Sequence, residues 1–425
     1  MTSTEQTDAC TVGFCPEYDT NEWMYHTVLY FGSTSSLVSI LNNALIFYCL
    51  LRHRDCLSTY LLFLLLLSVF DTVASAAYIP LIVVDQAKDR LQSDSLKRVW
   101  SVYVVQVLTL SNVVLTTNSY LLVGIQLDRF LLTMLSTGTY RRLVTASVRA
   151  MFCVSAVLLA IAMKMPIFYE LEITVYEDAA CNRTEYDVRP TALASSIGPY
   201  RVYQVWLRNF ATVFLPFVLL VLFNICILLK LRRAQRHAKL FRLTTTEHKK
   251  RVRSATVTFL LIASTYVVSN ALNVFVTIWE YIDIEGLIER CYFYFISTDL
   301  VTLLTILGSA LRLPIYLLCN AELRQIIRDG VRSITRCKYA WLDVALSGVH
   351  QSAVELMETP AAPPPHYNSN NNNNKTEMSE VLLSTAAVNC CVDEEQGMQQ
   401  DALRHAAMHL MFADELSHNS NDAAL

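Results

Sequence analysis

Charged side chains are scarce in this chain: Asp, Glu, Lys and Arg make up 17% of its 425 residues, against roughly 25% in an average soluble domain. Apolar residues take 53% and the mean hydropathy is +0.35, which is a membrane signature. Glycine is rare too, ten in all, and no phosphate-cradling Gly-rich loop occurs. HExxH and GxSxG are both missing, and His26, His53, His237 and His248 sit at span edges or in loops rather than in a ligand cluster. The chain therefore reads as no enzyme, with no catalytic set, no metal site and no cofactor. A net charge of −3 says nothing about nucleic acid, but no basic run is interleaved with aromatics, so that partner class is dropped. Residues 1–26 contain Glu5, Asp8, Glu17, Asp19 and Glu22 and no Lys or Arg. They lack the regions of a cleaved signal peptide, so the first apolar helix is expected to be the signal anchor.

What is present is a series of long apolar runs. Stretches able to span about 30 Å of hydrocarbon fall at 27–51, 58–84, 99–127, 146–169, 203–231, 254–280 and 292–318. The fold class is an all-α membrane protein, a seven-transmembrane helix bundle in the lipid bilayer. Between the fifth and sixth spans lie Lys230, Arg232, Arg233, Arg236, Lys239, Arg242, Lys249, Lys250, Arg251 and Arg253 against one acid, Glu247. By the positive-inside rule that loop is cytoplasmic and the acidic N-terminus, 1–26, is extracellular. The bundle occupies 27–319. After it, 320–340 sets Leu323, Ile326, Ile327, Ile334 and Trp341 among basic residues, a pattern for an amphipathic helix lying on the inner leaflet. Gly330 weakens its middle, and Cys337 is open to two readings, a palmitoylated anchor or an inert thiol. From 341 to 425 Pro360, Pro363, Pro364, Pro365 and the run Asn370 to Asn374 give a disordered cytoplasmic tail.

Five marks then converge. Asp128-Arg129-Phe130 ends the third span, Asp71 sits inside the second, Asn43 inside the first, Pro216 breaks the fifth, and Leu313-Pro314-Ile315-Tyr316 closes the seventh, followed by Asn320 and Arg324. Together they resemble a rhodopsin-family (class A) G-protein-coupled receptor over residues 27 to 338. Pro216-Phe217 with Asn224, and the variant Arg312-Leu313-Pro314-Ile315-Tyr316, are similar to invertebrate neuropeptide receptors of the FMRFamide type. The resemblance implies plasma-membrane signalling through a heterotrimeric G protein, with arrestin and a kinase acting on the tail. It implies that Asp128, Arg129, Phe130 and Tyr316 serve coupling, Arg129 as a latch that its neighbouring acid holds when inactive. A guanidinium suits that part because it is always charged and pairs bidentately; the bland alternative is a snorkelling interfacial pair.

The resemblance further implies a core switch of Asn43, Asp71, Asn118, Arg312 and Pro314, and here the chain departs from the family. Arg312 stands where the family has Asn and the proline lies one residue later, so at the usual helical phase Arg312 points toward Asp71. Its guanidinium would replace the sodium ion that Asp71 and Asn118 imply; the other reading has Arg312 snorkel to the interface. The sixth span, Tyr266 to Leu272, lacks the family's proline, although Ser269 and Asn270 can bend a helix by bonding its backbone. No cysteine occurs between Cys56 and Cys153, and the third-span position of the family disulfide falls at about Val104. Four outward cysteines, Cys10, Cys15, Cys181 and Cys291, allow three pairings, of which Cys181 to Cys291 with Cys10 to Cys15 is favoured.

For the ligand, Ser111 stands where an amine receptor has an acid. The outer rim carries Glu170, Glu172, Glu177, Asp178, Glu280, Asp283, Glu285, Glu289 and Asp299. An extracellular peptide ligand that is basic and amidated fits such a rim, with Glu280 and Asp299 for its cation and Trp279 or Tyr294 for its ring; a solvated charged face is the plainer reading. Asn182-Arg183-Thr184 is a glycosylation sequon in that loop, placing Asn182 outside. A chemosensory receptor for a small molecule, or a transporter using Asp71, Lys164, Asp299 and Arg312, are the alternatives.

Overall fold

The computed structural model describes residues 22–336, apart from 54–55, 57–58, 92, 179–182, 196–197, 241–246, 284–285 and 287–289. Seven helices are long and apolar enough to cross a membrane: α1 Thr27–Leu51, α2 Leu61–Lys88, α3 Asp94–Met134, α4 Ala146–Glu170, α5 Trp206–Arg236, α6 Val252–Ile282 and α7 Tyr292–Cys319. The chain is thus a multi-pass, all-α seven-helix bundle. The helices agree with the apolar runs, but α3 extends well past both ends of its run. Asp94, Lys97 and Arg98 at one end and Asp128 and Arg129 at the other are helical, since backbone hydrogen bonding continues where hydropathy stops.

In hydrocarbon, helices gain little from apolar burial against each other, so close approach and hydrogen bonds carry the packing. Between α1 and α2 these come from small residues: Ser36 Oγ donates to the Ser75 carbonyl at 2.6 Å and Ser75 Oγ to Ser39 Oγ at 2.7 Å, all three side chains being buried. At Gly124 of α3 a Cβ would collide with the rings of Phe152 on α4 and Phe63 on α2, so glycine permits the contact of three helices.

Prolines shape the helices by removing an N–H and freeing the carbonyl four residues earlier. Pro80 lies in a π-helical turn, Ile79–Val83, within α2. In α4, Pro166 frees the Ala162 carbonyl, and Tyr203 Oη donates to it at 3.3 Å and to that of Met163 at 3.1 Å. In α7, Pro314 frees the Ala310 carbonyl; Asn42 of α1 donates to it from Nδ2 at 2.9 Å. A turn at Leu311 separates Cys291–Ala310 from Arg312–Cys319, although the Leu311 N–H still donates to the Leu307 carbonyl at 2.9 Å and the Leu311 carbonyl accepts from Ile315 N–H at 3.1 Å. The proline-free α6 is unbroken, and Ser269 and Asn270 donate to the carbonyls of Thr265 and Tyr266 at 2.9 and 3.0 Å.

Between α4 and α5 the chain forms an antiparallel hairpin, β1 Leu171–Asp178 and β2 Arg183–Pro190, with Leu171 opposite Pro190 and Asp178 opposite Arg183. Leu171, Ile173 and Val188 of the hairpin pack against Trp100, Val104 and Val105 of α3. Val104, the position at which a disulfide is missing, therefore belongs to an apolar contact that lays the hairpin on α3.

The segment after α7 departs from expectation. Asn320 Oδ1 accepts from the backbone N–H of Glu322 and Leu323 at 3.0 and 3.3 Å, a cap that starts a new helix. Leu323, Ile326 and Ile327 were expected to face the leaflet. They are instead 1%, 8% and 5% exposed within the main core, because Asn320 turns the chain back against the bundle. Beyond Ile327, residues 328–336 are described and helical. Cys337, Trp341, Cys181, Asn182, the tail and the N-terminal cysteines lie outside the described residues, as does the side chain of Cys291.

Candidate functional site

A cavity of about 350 Å3 opens between α2, α3, α5, α6 and α7, with Lys164 of α4 also in its lining. Along α3 it runs from Leu108 to Ser119, roughly 16 Å at the helical rise. Leu108 marks its end nearer the hairpin, and Asp71, Asn118, Ser309 and Arg312 its deep end. Ser111 lines it. Trp279, Glu280, Tyr294 and Asp299 do not.

At the deep end Asp71 is fully buried and pairs with Arg312, itself 6% exposed. Asp71 Oδ1 also accepts from Asn118 Nδ2 at 2.9 Å and from Ser309 Oγ at 3.1 Å. Arg312 reaches Asp71 because its helical phase on α7 aims it into the cavity that Asp71 also lines. A monovalent cation, which the resemblance places at this carboxylate, does not fit: the guanidinium occupies the second oxygen and supplies the charge. Asn43 Nδ2 donates to Ser39 O at 2.9 Å and to Ser309 O at 3.4 Å. Together with Asn42 it ties α1 to the backbone of α7 just before Pro314.

The other end of α3 carries a second buried charge cluster. Asp128 and Arg129 are 4% and 3% exposed, and Arg129 Nη2 lies 3.1 Å from Asp128 Oδ2. Arg149 Nε donates to Asp128 Oδ1 at 3.1 Å, and Tyr140 Oη donates to the same oxygen at 3.1 Å. Burial, and then the negative charge of Asp128, push the Tyr140 phenol up, so it stays a donor. Arg129 places its guanidinium 4.2 Å above the ring of Tyr60 and 5.1 Å from that of Phe259, a pair of cation–π contacts. Tyr60 Oη in turn donates to Glu322 at 3.1 Å. One turn earlier, Gln126 donates from Nε2 to Asn224 Oδ1 of α5 at 3.0 Å and to Phe259 O of α6 at 2.8 Å. The rings of Phe130 and Phe223 lie tilted with centroids 5.2 Å apart, and Tyr316 is 2% exposed in the core. Lys230, Arg232, Arg233, Arg236 and Arg253 are exposed on the same end of α5 and α6.

At the hairpin end Glu170, expected as an open rim acid, is 3% exposed. Arg208 Nη1 donates to both its oxygens at 2.7 and 2.8 Å, Tyr200 Oη at 2.6 Å and Gln204 Nε2 at 3.2 Å. Burial and then the bond to Glu170 push the Tyr200 phenol up to about 12. Glu280 accepts from Tyr294 Oη at 3.1 Å. Trp279 packs against Phe293 and Phe275, and Arg290 lies 5.7 Å from its ring. Glu177, Asp178, Glu285 and Glu289 have no described side chain.

Sequence reasoning brought Asp71, Asn118 and Arg312 together, and Asp128 with Arg129. It missed Asn42, Gln126, Tyr60, Tyr140, Arg149 and Arg208. Only Asn42 carried a signal, a polar residue inside an apolar span when Pro314 leaves a carbonyl to be satisfied. No protein-family model matches this chain, and no curated protein matches it significantly.

Proposed function

We propose that this chain is a G-protein-coupled receptor of rhodopsin-like architecture, set in the plasma membrane with its N-terminus outside. In this reading the cavity takes an extracellular ligand and the Asp128 end engages a heterotrimeric G protein. The observation that carries the reading is the state of Arg129: a buried, always-charged side chain at a helix end, held by one acid and two rings beside the basic ends of α5 and α6. An interfacial anchor would place its guanidinium in headgroups or water, whereas this one is stored inside the protein. The release of Arg129 opens a surface in which the exposed cations of α5 and α6 contact the partner. The tail beyond 340 serves arrestin and a kinase, and the chain performs no catalysis of its own.

Two ligand readings follow from different places. A basic, amidated neuropeptide uses the rim, where Trp279, Tyr294 and Glu280 are neighbours. A small molecule uses the cavity beneath it, and that reading is favoured by the cavity's mixed apolar and hydrogen-bonding lining and by Glu170 being occupied by Arg208. The transporter alternative loses two of its four intramembrane charges, because Asp71 and Arg312 neutralise each other.

A screen of amidated peptides and small organic molecules against cells expressing the chain, reading calcium and cAMP, tests the reading. A ligand-dependent response that Arg129→Ala removes is expected. A response that Arg129→Ala leaves intact overturns it.

A further inference from the structure

We infer that the cavity binds a small amphipathic carboxylate, whose acid group is held by Lys164 Nζ and Thr212 Oγ1. The inference rests on the reading of the cavity as a ligand site and names the chemical class it takes.

Three charged side chains line the cavity: Asp71, Arg312 and Lys164. The first two form an ion pair at the deep end. Lys164, two residues before Pro166 in α4, makes no hydrogen bond or ion pair with any described residue. Its near charges are Arg208, which repels it, and Glu170. That carboxylate already receives two bonds from Arg208 and one each from Tyr200 and Gln204. The Lys164, Arg208 and Glu170 cluster therefore carries one uncompensated positive charge, and the free ammonium is the one that faces the cavity.

An unpaired ammonium inside a membrane span is costly and marks a ligand path or partner. Thr212 supplies an independent sign: 5% exposed, it lines the same cavity and its hydroxyl has no hydrogen-bond partner. A carboxylate accepts from both an ammonium and a hydroxyl, the charge-assisted arrangement that such a pair satisfies. A ligand ammonium or guanidinium would meet Lys164 as a like charge, with no free acid among the lining side chains. Beyond the acid group the lining divides between aliphatic side chains (Leu108, Leu115, Val301) and hydrogen-bonding ones (Asn112, Asn273, Thr302). This selects an organic body with an apolar part and one or two hydroxyls or amides, and the volume suits a small molecule rather than a peptide.

The test uses the full chain in lipid nanodiscs and three matched probe series sized to the cavity: carboxylic acids such as 4-hydroxyphenylacetate, their primary amides, and the corresponding amines. The reading is the rise of the unfolding midpoint with probe concentration, which reports binding to the folded state. Acids are expected to raise it where amides and amines do not. Lys164→Met weakens acid binding by roughly tenfold to a hundredfold, the range of a lost charged hydrogen bond, while Lys164→Arg retains it and Thr212→Val weakens it less. Amine binding, acid binding unchanged in Lys164→Met, or no acid binding in any member of the series overturns the inference. Head-group selectivity is read on the unaltered chain, so it stands even where a variant folds poorly. Nucleotide exchange on added heterotrimer separates the two claims. Lys164-dependent acid binding without exchange keeps this inference and removes the receptor reading; exchange driven by a peptide or amine does the reverse.

Discussion

Replacing Arg312 by Gln removes the guanidinium that faces Asp71 at the deep end of the cavity, where Asp71 is fully buried and Arg312 6% exposed. The carboxylate keeps two neutral donors on Oδ1, from Asn118 at 2.9 Å and Ser309 at 3.1 Å, and nothing replaces the guanidinium at Oδ2. Breaking one side of a buried ion pair costs about 3–5 kcal/mol, more than the about 1–3 kcal/mol of an ordinary orphaned polar group. Asp71→Asn strands the guanidinium and should cost a similar amount. In the double variant Asp71→Asn/Arg312→Gln two amides face each other and no charge is buried, so the loss should fall below either single change. The assay is thermal unfolding with a thiol-reactive fluorophore that reports exposure of Cys49, Cys56 and Cys153, each 2–3% exposed in the fold. Burial pushes the Cys56 thiol up to about 11, which keeps it protonated and unreactive until unfolding. Single-variant losses that simply add in the double variant would refute the reasoning, because additivity means the two groups do not interact.

Sodium provides a second test of the same pair: agonist affinity should respond to sodium no more than to equimolar choline, and a sodium-specific drop would show that a cation does enter beside Asp71. Asn42→Ala strands the Ala310 carbonyl and should lower stability by about 1–3 kcal/mol. Adding Pro314→Ala restores an N–H for that carbonyl and should recover part of the loss, measured on the same unfolding curve. Arg208→Met leaves Glu170 buried with only Tyr200 and Gln204 as partners and should cost about 3–5 kcal/mol; Glu170→Gln in that background should return most of it, and no recovery would show that Arg208 acts through packing alone.

The seven helices were legible because a span must be predominantly apolar, and each run in the sequence is, with Asp71, Lys164, Asp299 and Arg312 as isolated charges. Helix ends were less so: α3 carries charges into both its termini, and a hydropathy reading stops at them. The hairpin was missed even though Leu171, Ile173 and Val175 alternate with Glu172 and Thr174, since the acids in that loop were read as a rim rather than as the outer face of a strand. Helical phase was enough to aim Arg312 at Asp71. It could not pair Arg208 with Glu170, or Arg149 with Asp128, because each joins separate helices whose relative rotation is set only by packing. The same limit hid the fate of Leu323, Ile326 and Ile327: an amphipathic pattern has one apolar face, and it does not say whether lipid or protein covers it.

The most direct measurement of the central claim is GTP exchange on purified heterotrimeric G proteins by the full chain in lipid nanodiscs, with the Arg129→Ala variant beside it at equal ligand occupancy. The receptor account predicts ligand-accelerated exchange by the unaltered chain and none by the variant, which still binds ligand. Equal exchange by both, or ligand flux across sealed liposomes with no exchange by either, contradicts it.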